Sequence, residues 1–339
     1  MASPSPSPSS DPSPSSDPSP RVGAAIGLDM GGTKTAGLLL TADGQVVGSH
    51  TLPTPSRQGP TAVLAALEEV TENLLTQAQQ LRTEVVAIGV GVPGLVSNSG
   101  QLCFAGHLGG EVGLDLAALL PARFMLPTVV ANDNTCAGYA EWTAGAGRGF
   151  DDVLYVGLGT GIGGGIIAGG AAQRGANGFA GEVGHIVIDR NGELCTCGRR
   201  GCWELSASGT ALGRQGEQAI VDGRWNAAPD VVRPVSGTDV MDQAALGVNA
   251  AVAVVEAFAG HLAVGLVDLA LVLDPACIVL GGGVMTRAEL LLPSVREQFR
   301  VLLGDMSSIR GLPELRAAHF GPRSGAVGAA LLALARVLR

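Results

Sequence analysis

Charged residues fill only 15% of the 339 positions, and the 21 Lys and Arg form neither a run nor a stripe. Affinity for nucleic acid rests on clustered cations, so this scatter and a net charge of −9 argue against a nucleic-acid partner. No secretion signal is visible, because residues 2–20 are a Ser/Pro/Asp repeat without an apolar core. No unbroken apolar run is long enough for a bilayer. Residues 250–273 are interrupted by Glu256, His261 and Asp268 and read as a buried helix, not a membrane span. The disulfide framework of a small secreted domain is missing as well. The six Cys fall as three scattered singles (Cys103, Cys136, Cys277) and one tight trio. A trio beside a His in a large chain points to metal and a reducing compartment. A soluble, cytoplasmic protein is expected.

Glycine, by contrast, is abundant: 51 residues, about twice the usual share of roughly 7%. Such an excess marks tight turns and close backbone approaches, as around phosphates. With 46% apolar residues the chain is long enough for two domains sharing a cleft. Residues 1–22 bury too little to fold and read as a disordered Ser/Pro-rich tail.

Residues 24–40 read as strand, Gly-rich turn (30–35) and strand, with Asp43-Gly44 turning into a third strand over 45–52. A dinucleotide fold differs, since its Gly-rich loop leads into a helix. Residues 61–81 carry apolar positions at spacings of three and four and predict an amphipathic helix. Continuous apolar runs at 85–92, ending in Pro93-Gly94, and at 126–131, ending in Asn132-Asp133, predict buried parallel strands. A helix follows over about 135–143. The pattern then restarts: a strand over 153–158, a second Gly-rich turn over 159–165, and a strand resuming at 166–168. A long helix around 246–269, a strand over 277–280 and a last helix over about 326–338 complete the reading. The expectation is an α/β chain of two facing lobes with a cleft between them. The small lobe is expected over 23–131 plus 325–339, and the large one over 132–324.

Asp29-Met30-Gly31-Gly32-Thr33-Lys34 suits phosphate: Gly31 and Gly32 let backbone N–H groups approach, Thr33 adds a hydroxyl and Lys34 a charge. Asp29 is placed to hold Mg²⁺ through water. The alternative is an ordinary Gly-rich hairpin. Thr160, Gly161 and Gly163 in the second turn repeat the first pattern, and two such turns on facing lobes grip a triphosphate from both sides. Gly281-Gly282-Gly283 offers a flat surface for adenine or ribose, or a plain strand-to-helix turn. Asn132-Asp133-Asn134 ends a buried strand, where ligands of α/β folds bind. Asp133 suits a base that takes a hydroxyl proton during attack on a γ-phosphate. The rival role there is a helix cap by Asp133 or Asn134.

His185, Cys195, Cys197 and Cys202 form H-x9-C-x-C-x4-C, with Gly198 and Gly201 allowing a tight loop. Three thiolates and an imidazole make a closed tetrahedral Zn²⁺ site, structural because no position is left for water. Glu182 and Glu204 flank the knot, which would hold both carboxylates against vicinal sugar hydroxyls. A solvated loop position is the alternative for each.

Together these segments resemble the ROK family of bacterial sugar kinases and repressors, of the actin/hexokinase (ribonuclease H-like) superfamily. The matching pieces are Asp29 to Lys34, Gly89-Val90-Gly91-Val92-Pro93-Gly94, Asn132-Asp133, the turn at 159–165, Gly178-Phe179-Ala180-Gly181-Glu182-Val183-Gly184-His185, the segment 195–204 and Gly281 to Gly283. Gly145-Ala146-Gly147-Arg148-Gly149 looks most like the glucokinase branch. The resemblance implies ATP-dependent phosphorylation of a hexose, glucose to glucose 6-phosphate, with Asp133 as base. Asn132, Glu182, His185 and Glu204 match the family's sugar ligands, and the loop at Gly94 adds backbone contacts. His185 is implied to serve twice, one ring nitrogen on zinc and the other on the sugar. Where glucokinases usually carry an Asn that contacts sugar, this chain has Ala105-Gly106-His107, so His107 makes N-acetylmannosamine or N-acetylglucosamine the competing substrate. A homodimer or homotetramer is implied too, and polyphosphate is the alternative donor. A sugar-responsive repressor would need a helix-turn-helix that the tail does not supply. A binding protein that lost catalysis would be expected to lose Asp133 or a glycine turn, and both are present.

Overall fold

The computed structural model describes residues 23–108, 110–226 and 232–338, and its two five-stranded sheets repeat one strand order. The expected tail, 1–22, lies outside the described residues. The first repeat opens with the hairpin β1 (Ala24–Met30) and β2 (Lys34–Thr41), then runs through β3 (Val46–Pro53) and α1 (Pro60–Gln80) to β4 (Val85–Val92). A small meander follows: β5 (Leu95–Val96), β6 (Gln101–Ala105) and β7 (Gly110–Asp115). Helix α2 (Leu116–Phe124) returns the chain to β8 (Thr128–Asn132), and α3 (Asp133–Ala144) leaves it. In this sheet the order is β3-β2-β1-β4-β8, with β1 antiparallel to β2 and parallel to β4.

The second repeat begins with β9 (Val153–Leu158), β10 (Ile162–Ala168) and β11 (Ala171–Ala172). Four helices intervene: α4 (Glu204–Ala207), α5 (Gly209–Val221), α6 (Gly237–Ala245) and α7 (Asn249–Leu273). Then come β12 (Cys277–Gly281), α8 (Ala288–Leu303), α9 (Met306–Arg310), β13 (Glu314–Ala317) and α10 (Ser324–Val337). The order β11-β10-β9-β12-β13 repeats that of the first sheet, with β9 again antiparallel to its hairpin partner β10 and parallel to β12. Among the described residues α7 is the one helix long and apolar enough to cross a bilayer. Its Val255, Phe258, Leu262 and Leu266 instead fill the core of the second repeat beside Trp203.

The run expected to be one long turn at 159–165 is mostly strand. Gly163, Gly164 and Gly165 pair with Gly157, Val156 and Tyr155, so the turn itself is only Gly159 to Gly161. The glycines are there for packing: a Cβ on Gly165 would stand 2.5 Å from the Asn134 carbonyl, so α3 lies directly on β10. Helix α10 closes on the first sheet in the same way. A Cβ on Gly89 would meet the Ala329 carbonyl at 1.8 Å, and one on Gly328 the Cys136 carbonyl at 1.7 Å. Small residues on α10 thus bring it against β4 and α3 at once, and Ala140 of α3 shares a core with Ala326, Ala330 and Ala333. On the opposite flank Arg174 Nη2 donates to the carbonyls of Ser97 and Val130, and Asn98 Nδ2 to those of Gly175 and Ala176. These bonds hold the segment that precedes Glu182 against the end of β8.

Candidate active site and metal centre

The parallel strands of both sheets end at one cavity of about 870 Å³. Polar groups displaced from strand ends meet there because the sheet interiors, apolar on both faces, have no room for them. From the first sheet, the cavity receives Asp29 near the end of β1 with Gly31 and Gly32 just beyond it, Gly94 after β4, and Asn132 and Asp133 where β8 passes into α3. From the second sheet come Thr160, Gly161 and Gly163 around the β9–β10 turn, and Gly282 after β12. Glu182, His185 and Glu204 supply a third wall. Thr33 and Lys34 (the chain's single lysine) stand off this wall, at the exposed side of the first turn. Gly281 closes β12, and Gly283 begins a short 3₁₀ turn (Gly283–Arg287) behind Gly282. The side chain of His107 lies outside the described residues, though its neighbours Phe104 and Gly106 line the cavity.

Asn132, not Asp133 or Asn134, caps α3: its Oδ1 accepts from the backbone N–H of Asn134 at 2.8 Å and of Thr135 at 3.2 Å. Its Nδ2 donates to the Gly94 carbonyl, fixing the loop after β4. An N-cap has extended φ/ψ, which the end of a strand already provides, so the last strand residue takes the role. Asp133 is thereby released from capping. Its Oδ1 accepts from the N–H and Nδ2 of Asn134, while burial raises its pKa above the ordinary carboxylate value despite those bonds.

Asp29 faces the same space. Burial, then the nearby Asp133 charge, push its pKa up to about 7, with Lys34 opposing them. Folding therefore favours the protonated form of Asp29. In magnesium-free protein its contribution to stability is complete below about pH 4 and is lost as pH rises through about 7. Asp29→Asn, which cannot ionise, is expected to gain stability relative to the parent across that window. Tm measured in EDTA at pH 4, 5.5 and 7.5 checks it; a constant difference would contradict the burial of that charge.

His185 Nδ1 lies 3.7 Å from Cys195 Sγ, and Cys197 Sγ 3.5 Å from Cys202 Sγ. All four ligand atoms lie within 4.8 Å of one another. A tetrahedron with zinc–sulfur bonds of about 2.3 Å has edges of about 3.8 Å, so the donor set fits a closed Cys₃His site. Backbone bonds from Cys195 N to Arg199 O and Gly198 N to Cys195 O, with the Val187–Cys202 bridge, shape the knuckle. Cys195 and Cys202 are buried, whereas Cys197 is exposed and lines the cavity. The second ring nitrogen of His185 turns away from the thiols, 3.8 Å from Glu182 Oε2. Glu204, first residue of α4, has Oε1 3.4 Å from His185 Nδ1. Burial raises the pKa of Glu182, and the His185 ring opposes that shift.

Several cavity residues have no sequence signal of their own. Ala137 rides on α3, Tyr155 on β9, and Phe104 on the meander; Asn134, read from the sequence as a possible cap, lines the cavity instead. Gly321, Pro322, Ser324 and Gly325 form the opposite wall, at the start of α10.

Residues 25–336 match the ROK family. A glucokinase from Streptomyces coelicolor is 35% identical over 325 residues, covering 92% of this chain and 98% of that protein. An N-acetylmannosamine kinase from Escherichia coli is 32% identical over 317 residues, covering 91% and 97%. Among solved structures, a ROK family glucokinase from Streptomyces griseus in complex with glucose and AMPPNP superposes with a TM-score of 0.81 at 34% identity, covering 92% of this chain and all of that one.

Proposed function

The chain belongs to the ROK family, and from that premise we propose that it transfers the γ-phosphoryl group of ATP to a hexose, glucose to glucose 6-phosphate. The observation that carries the reading is the convergence of Asp133, both glycine turns and the Glu182–His185–Glu204 group on one cavity. Asp133 takes the proton of the sugar hydroxyl as its oxygen attacks the γ-phosphorus; the bond to the β-phosphate breaks and ADP leaves. Gly31, Gly32, Gly161 and Gly163 let backbone approach the phosphates, and Gly282 opens a flat wall for the nucleoside. Bound at Asp29, Mg²⁺ would neutralise charge on the phosphates.

Asn132, Glu182, Glu204 and the free nitrogen of His185 orient the sugar, with Gly94 contributing backbone. Bound by the Cys₃His set, Zn²⁺ would stiffen the wall carrying His185 and Glu204. Acceptors of this kind, once a bound sugar shields them from water, discriminate strongly against sugars that lack the matching hydroxyls.

The N-acetylmannosamine kinase similarity and the changed segment at His107 favour a second substrate reading, an N-acetylated hexosamine. ADP release from MgATP with glucose, mannose, N-acetylmannosamine and N-acetylglucosamine separates the two. Glucose is expected to give the highest kcat/KM. A preference for either N-acetyl sugar would replace the glucose assignment and keep the kinase.

A further inference from the structure

One buried carboxylate takes no part in this chemistry. Glu141 lies two helical turns beyond Asp133 on α3, and none of its surface is exposed. An isolated charge would be costly there, yet both of its oxygens are fully used. Oε2 accepts from the backbone N–H of Ala146 at 3.0 Å and of His319 at 2.9 Å. Oε1 accepts from the backbone N–H of Phe320 and the hydroxyl of Ser324, each at 2.9 Å. Three of the four donors are remote in sequence and belong to the turn that opens α10. That turn is a wall of the cavity: Gly321, Pro322, Ser324 and Gly325 line it. It also abuts Asp29, since a Cβ on Gly325 would stand 2.6 Å from the Asp29 carboxyl carbon. A single side chain therefore fastens the helix carrying Asp133 to the backbone standing against Asp29.

We propose that Glu141 is a positioning residue for phosphoryl transfer, holding the 319–325 wall at the distance from Asp29 and Asp133 that the terminal phosphates of ATP require. The proposal rests on the kinase reading above. Glu141 touches no substrate and acts through the wall. Glu141→Gln keeps the shape but turns an amide toward donors, so two of the four bonds are lost and two N–H or O–H groups face an NH₂. The expected result is nucleotide affinity about tenfold weaker and kcat at least about tenfold lower, because small displacements at a reacting centre are costly. Hexose affinity, measured by calorimetry without nucleotide, is expected to stay within about twofold of the parent.

Nucleotide binding is read directly with Mg²⁺ and a non-hydrolysable ATP analogue. A parent protein that binds nucleotide and phosphorylates no hexose would therefore sink the hexokinase reading while leaving this test intact. A variant with lowered Tm but unchanged nucleotide affinity and kcat would show Glu141 to be merely structural and overturn the proposal. Equal losses for hexose and nucleotide would overturn it too. Should Glu141→Gln fail to fold, Ser324→Ala removes only one donor. It is expected to weaken nucleotide binding about threefold with hexose affinity intact, and unchanged nucleotide binding in that variant would likewise overturn the proposal.

Discussion

Asp133→Asn is expected to lower kcat by about 10²–10⁴-fold while leaving the hexose dissociation constant nearly unchanged. The substitution preserves shape, and its amide oxygen still accepts from the Asn134 N–H, so the start of α3 is not disturbed. Only the basic oxygen is lost. The parent should also reveal this group in its pH profile. A base must be deprotonated, and burial raises the pKa of Asp133, so kcat/KM is expected to fall on acidification with a midpoint above the ordinary carboxylate range. In the variant the share of that limb owed to Asp133 should be lost from whatever turnover remains, leaving only what Asp29 contributes. Turnover near the parental value would mean that the proton leaves by another route.

The second large effect concerns the metal. Cys197→Ser is expected to release zinc, from about one equivalent per chain to a small fraction of one, and to weaken hexose binding about 10–100-fold. Serine nearly matches cysteine in size but is a harder, poorer zinc ligand, so the test removes affinity without opening a void. Nucleotide affinity should change little, because the glycine turns and the 321–325 wall lie on other elements. Elemental analysis with hexose calorimetry checks both halves. Unchanged metal content would dismiss the Cys₃His site; lost zinc with full hexose affinity would separate the knot from the sugar pocket.

Much of this arrangement is legible in the chain before folding. Apolar runs at 85–92 and 277–280 mark their strands because strands flanked on both faces need no polar alternation. The metal set is readable because its four donors fall within 18 positions, a spacing that only a tight loop explains. Gly163 to Gly165 mislead, since glycine serves a tight turn and a strand crushed against a helix equally well. The cap on α3 is misread by one or two positions for a similar reason: Asn132, Asp133 and Asn134 are all good caps, and the strand end decides among them. The wall at 319–325 is the least visible part. Its position depends on Glu141, with pairs 178 to 183 residues apart, and no local periodicity records such a contact. The short meander over 95–115 escapes for want of a long apolar pattern.

The most direct measurement is a crystal structure with glucose, Mg²⁺ and a non-hydrolysable ATP analogue bound together. The account predicts the 6-hydroxyl oxygen within about 2.6–3.2 Å of an Asp133 carboxylate oxygen and in line with the γ-phosphorus. A sugar whose hydroxyl meets a different carboxylate, or a γ-phosphate on the far side of the cavity from Asp133, would contradict it.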